Sequence, residues 1–110
     1  MTDFVVVLST CASAQEAETL ARHLLEKRLA ACVNVAPAGK SIYRWKGAIE
    51  EASEHLLVIK SRRPLLRQLE KELSKVHSYE VPELVVLAVV DGSRSYLEWL
   101  ERELPEESTQ

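Results

Sequence analysis

The sequence predicts an α+β domain of the ferredoxin-like type, β-α-β-β-α-β with an extended central hairpin and an added C-terminal helix. Three observations carry that expectation. Apolar, β-branched runs (FVVVL, LLVI and LVVLAVV) alternate with stretches whose apolar residues recur every three or four positions. The alternation fails once, at the centre, where strand formers flank Lys46-Gly47 without an intervening helix. No linker, repeat or low-complexity segment divides the 110 residues, so one domain is expected over 1–110, with 105–110 a frayed tail.

Each element has its own signal. Phe4 to Leu8 is continuously apolar, which suits a strand buried on both faces. Ser13-Ala14-Gln15-Glu16 has the capping-box pattern, and behind it Ala17, Leu20, Ala21, Leu24 and Leu25 form a helical stripe. Ala30 to Val35 is a second strand, expected to break at Pro37-Ala38-Gly39 and to resume as Ser41 to Trp45. Lys46-Gly47 then offers a two-residue hairpin turn into Leu56 to Ile59. Pro64 suits the first turn of a helix, where a missing N–H costs nothing, and Leu66, Leu69, Leu73 and Val76 follow on one face. Leu84 to Val90 is the fourth strand. Ser95 to Glu98 repeats the capping box ahead of a last short helix.

Composition narrows the function classes. With 46% hydrophobic and 28% charged residues the chain is globular, and its net charge of -3 argues against a basic nucleic-acid face. Ferredoxin-like RNA binders stack bases on sheet aromatics, and VVVLS and HLLVIK carry none. No apolar run approaches the roughly 20 residues of a membrane helix, and no basic stretch precedes the first apolar run as in an export signal. Cys11 and Cys32 are expected as reduced thiols in a cytoplasmic protein.

Two features exceed what a solitary domain needs. LVVLAVV falls at a nominal sheet edge with no charge, Pro or Gly to blunt it. The hairpin arms, within Ala30 to Ser61, run well past an ordinary strand of about 5–6 residues. Both call for cover from another chain.

The candidate chemistry is sparse. Cys32 sits among apolar neighbours and reads as a small buried hydrophobe or as a ligand. Cys11 ends the first strand beside a helix start, where a thiol's pKa can fall; it reads equally as filler. His77 follows the second helix, either capping it or acting as a site imidazole. His23 and His55 occupy polar positions and are expected in solvent. Tyr79 and Glu80 tie the loop VHSYEVPE, and Pro82 sets its exit. Thiolate with imidazole suits copper or zinc, yet no diagnostic spacing gathers these residues. A nucleophile-base pair would need an oxyanion hole that no Gly-rich loop supplies, so no enzyme is expected.

Taken in order, EKRLAACVNV, SIYRWKGAIEE, a strand ending in IKS, HSYEVPEL and YLEWL resemble the CutA divalent-cation tolerance family from Val5 to about Leu100. The resemblance implies a ferredoxin-like subunit in a compact homotrimer, associated with tolerance of copper and other divalent cations. It implies a metal set of Cys11, Cys32 and His77, and an inter-subunit cleft holding Trp45, Lys60, Tyr79 and Glu80. Ser78 and Ala12 replace prolines usual in the family, and Ser9 and Val76 stand where some members add a cysteine and a second histidine. Copper or another divalent ion is therefore the expected ligand, with no organic cofactor, no nucleic acid and no membrane partner. The other reading is a signalling or scaffold trimer that takes a small anion or a partner protein in its clefts.

Overall fold

The computed structural model describes residues 2–107. The order is β1 (Phe4–Cys11), α1 (Ala14–Glu26), β2 (Cys32–Trp45), β3 (Ala48–Arg62), α2 (Leu66–Val76), β4 (Val85–Ala88) and α3 (Arg94–Glu103), with a single 3-10 turn (Arg63–Leu65) before α2. One antiparallel sheet runs β2-β3-β1-β4, the ferredoxin-like order with β2 and β4 at its two edges. The Ser108–Gln110 part of the expected frayed tail lies outside the described residues.

The first face of the sheet carries the core over its two central strands. Val5, Val7 and Ser9 of β1 alternate onto it beside Ile59 and Leu57 of β3. Ala17, Leu20 and Leu24 of α1 and Leu69 and Leu73 of α2 close over them, all buried. Leu25, placed on the α1 stripe by spacing, stays 39% exposed. Glu72 is buried with the α2 stripe because it is paired. It accepts from His23 Nε2 at 2.8 Å, Gln68 Nε2 at 3.0 Å and Lys75 Nζ at 3.3 Å. The His23 bond is the main cause that holds the Glu72 carboxyl below its ordinary value. His23, expected in solvent, is thus a strut between α1 and α2.

The second face is unfinished. Helix α3 covers only its Phe4–Arg62 end, where Arg62 meets Asp3 and Glu101 and the Lys60 ammonium sits 5.9 Å from the Tyr96 ring centroid. Beyond that end, Val6, Leu8, Leu56, Val58, Val85 and Leu87 share the face by register and remain partly or fully exposed. The uninterrupted apolar β1 therefore has the two-sided character of a buried strand, but this chain covers only one side of it throughout.

Three elements differ from expectation. Strand β2 does not break at Pro37; it continues through a register shift between Ala36 and Gly39. Proline is tolerated there because β2 is an edge strand and need not donate on its outer side. The fourth strand is shorter than Leu84 to Val90, although Val89 N–H still donates to Phe4 O at 3.1 Å. The N-cap of α3 is Ser93 rather than Ser95, with no side-chain capping bond.

Candidate functional site

The bulge in β2 decides what the hairpin presents. Between Ala36 and Gly39, β2 advances three residues while β3 advances two, from Leu56 to Glu54. Because strand side chains alternate with period two, the odd residue changes the face on which the rest of β2 points. Tyr43 and Trp45 consequently share a face with Glu54, while Ile42 and Ile49 point the other way and are 65% and 68% exposed. At the tip, Lys46 (φ 48°) and Gly47 (φ 84°) both adopt left-handed backbone, the type I′ geometry that matches strand twist.

Opposite the hairpin lies the VHSYEVPE loop, held by a chain of polar contacts. The Ser13 hydroxyl accepts from Glu16 N–H at 3.1 Å, as a capping residue should. Glu16 does not complete the box on Ser13. Its Oε1 accepts from Ala12 N–H at 3.2 Å and its Oε2 reaches across to Ser78 N–H at 2.8 Å. Burial alone would raise the Glu16 carboxyl, but the Ser78 and Ala12 hydrogen bonds bring it below its ordinary value.

His77 caps α2, its N–H donating to Leu73 O at 2.9 Å. Its ring is not available to a ligand. Nδ1 accepts from Tyr79 N–H at 3.0 Å, so Nε2 carries the proton and donates to Thr10 O at 2.8 Å. The side chain is fully buried. Tyr79, its ring tilted 47° to the His77 ring with centroids 4.7 Å apart, donates its hydroxyl to Glu54 Oε2 at 2.6 Å and so ties the loop to the hairpin. Burial first, and then Glu54, push the Tyr79 phenol far above its ordinary pKa, so it remains a donor.

Hairpin and loop enclose a half-open cleft of about 550 Å³. Tyr43, Trp45 and Tyr79 supply aromatic walls, and Glu54, Glu80 and Glu83 supply carboxylates. Among the described residues no lysine or arginine lines it. Of the residues expected in an inter-subunit cleft, Trp45, Tyr79 and Glu80 line this one within a single chain. Lys60 does not: it donates to Asn34 Oδ1 at 2.8 Å, on the part of the sheet beside α3.

The three residues expected to share a metal do not gather in one chain. Cys11 pairs in register with His55 and Cys32 with Lys60, five residues apart along β3, which is about 16 Å of strand. Cys11 is fully buried, its thiol donating to Ser13 O at 3.4 Å, and burial chiefly raises its pKa. The lowering expected from the nearby helix start is outweighed. Cys32 is partly exposed, with Asn34 Oδ1 at 4.0 Å from its sulfur. Among the described residues no three His, Cys, Asp or Glu side chains form a metal-binding group. His55, expected in solvent, has a buried Nδ1 without a partner. Sequence reasoning missed the roles of Glu16 and Glu54. Glu16 was visible as a capping residue, but nothing local signals a carboxylate reaching 62 residues onward.

Replacing Glu16 tests the loop's tether. Glu16→Gln removes a charged acceptor from two backbone donors and is expected to cost about 1–2 kcal/mol at pH 7. A carboxyl depressed in the folded state stabilises above its unfolded pKa, and that stabilisation fades as pH falls through the folded value. Urea titrations from pH 7 to pH 3 should thus show a shallower acid decline in Glu16→Gln than in the parent; parallel declines would contradict it.

A ferredoxin-like sheet with an overlong, bulged hairpin closed against a tyrosine-anchored loop defines a small α+β protein with an aromatic cleft that has three carboxylates in its lining. Its family follows from comparison: the chain belongs to the CutA1 divalent ion tolerance protein family, whose profile matches residues 5–103. It is 45% identical over 95 residues to the divalent-cation tolerance protein CutA of Thermus thermophilus, covering 86% of this chain and 92% of that one. It is 41% identical over 96 residues to the chloroplastic protein CutA of Arabidopsis thaliana, covering 87% of this chain and 53% of that longer one. Among solved structures, CutA1 of Oryza sativa superposes with a TM-score of 0.91 at 36% identity, over 94% of this chain and 95% of the other. The Thermus thermophilus protein superposes with a TM-score of 0.90 at 42% identity, over 93% of this chain and 99% of the other.

Proposed function

We propose that this chain acts in divalent-ion tolerance as a homotrimer whose clefts attract cations and hold divalent ions weakly, partly through water. The observation that carries the reading is the lining of the cleft, three carboxylates with no lysine or arginine among the described residues. That charge disfavours the small-anion alternative. The donors are oxygens, which suit copper(II) or harder divalent ions better than copper(I), whose preferred thiolates stand apart here. The role is binding rather than catalysis: the Cys11 thiol is buried with a raised pKa, and both ring nitrogens of His77 are engaged.

The trimer reading is supported by the unfinished second face of the sheet and by its two open edges. Edge β4 of one subunit and edge β2 of the next make a head-to-tail contact, and three-fold closure leaves no edge to propagate. Calorimetric titration of the reduced protein with copper(I), copper(II) and zinc tests the cation reading. Glu80→Gln with Glu83→Gln should weaken divalent-ion binding about tenfold, given about 1–4 kcal/mol for a charge within about 4 Å. Cys11→Ser with Cys32→Ser should leave it unchanged. The reverse pattern would return the site to the thiols.

A further inference from the structure

The cleft is much larger than a metal ion requires. At about 550 Å³ it falls within the roughly 300–1,000 Å³ range of small-molecule sites. Much of its wall also offers nothing to a hydrated metal. Indole has no lone pair to give, Val81 and Pro82 are apolar, and the Tyr79 hydroxyl is already committed to Glu54. Aromatic faces beside carboxylates instead favour a cation that sheds water readily and spreads its charge over carbon. The hairpin tip contains one intrachain instance of that attraction, the Lys46 ammonium 5.8 Å from the Trp45 ring centroid.

We propose that the cleft between the hairpin and the VHSYEVPE loop is a binding site for a small organic ammonium ion, with Tyr43, Trp45 and Tyr79 facing its alkyl groups and Glu80 and Glu83 its charge. The inference rests on the reading of the cleft as a cation site and specifies the ligand class. Glu54, fixed by the Tyr79 hydroxyl, positions the loop wall against the hairpin wall. Trp45 and Tyr43 stand on the exposed ribbon, so the site can be altered without disturbing the core.

The test is calorimetric titration of the full-length protein with choline chloride and, at matched ionic strength, with its neutral isostere 3,3-dimethyl-1-butanol. A parallel arm uses zinc chloride. Choline should bind at least about tenfold more tightly than the isostere, and Trp45→Leu should weaken choline about fivefold or more while leaving zinc unchanged. Choline no tighter than the isostere, or indifferent to Trp45→Leu, overturns the proposal. Zinc binding without choline binding refutes the organic-cation site alone; choline binding without zinc refutes the divalent reading alone; failure of both refutes the cation cleft itself.

Discussion

Asp3→Ala combined with Glu101→Ala is expected to lower the unfolding free energy by about 3–5 kcal/mol, because it strands a buried guanidinium. Arg62 is only 6% exposed in its side chain, whereas Asp3 and Glu101 are 43% and 55% exposed. Its Nε and Nη2 donate to the two Asp3 oxygens at 3.1 and 3.2 Å, and Nη1 donates to Glu101 Oε2 at 2.7 Å and Leu104 O at 3.2 Å. The guanidinium also lies 5.1 Å from the Phe4 ring centroid. With both carboxylates gone, that charge keeps a single protein acceptor, Leu104 O, and loses both of its counter-charges. Arg62→Met should be milder, about 1–2 kcal/mol: the freed carboxylates are already half in solvent, Met fills much of the volume, and the main loss is the donor to Leu104 O. Urea unfolding of the two variants checks the order. Arg62→Met costing more than the double acid deletion would mean that packing, not burial of charge, dominates this corner.

Charging the second face should act on a different quantity, the assembly. Val58→Glu with Leu87→Glu places two carboxylates on the side of the sheet opposite α1 and α2, both at positions the single chain leaves partly or fully open. In a monomer such changes cost little, typically within about 0.5 kcal/mol. If neighbours bury that face, each apolar side chain lost is worth about 2 kcal/mol per chain, and the thermal midpoint should fall by about 10 °C or more. Ile42→Lys with Ile49→Lys is the companion test on the hairpin. Pairing Ile42 with Trp45 would mix two effects, because the bulge directs Trp45 to the cleft and Ile42 away from it.

How much of this was legible in the sequence depended on the range of the interaction. The strands, helices and hairpin turn follow from period and turn chemistry, which act over a few residues. Phe4 to Leu8 read as a strand buried on both faces, and this chain buries only one of them throughout. The continuity of β2 through Pro37 was hidden, since it depends on β2 being an edge strand. The facing of Tyr43 and Trp45 was hidden too, because a bulge of one residue reverses a period-two pattern. For the site, VHSYEVPE was visible as a dense polar loop, but its ties to Glu16 and Glu54 span 62 and 25 residues. The separation of Cys11 from Cys32 is likewise a matter of register, and their shared chemistry suggested a closeness the sheet does not provide. His77 was rightly placed at the helix end, though its ring is spent on Thr10 and Tyr79 rather than offered to a ligand.

Sedimentation equilibrium of the unmodified protein at micromolar concentration bears most directly on the claim that three copies complete the sheet. The account predicts one species with the mass of three 12.4 kDa chains, dissociating when Val58 and Leu87 are charged. A stable 12.4 kDa monomer, with its apolar second face open to water, would contradict it.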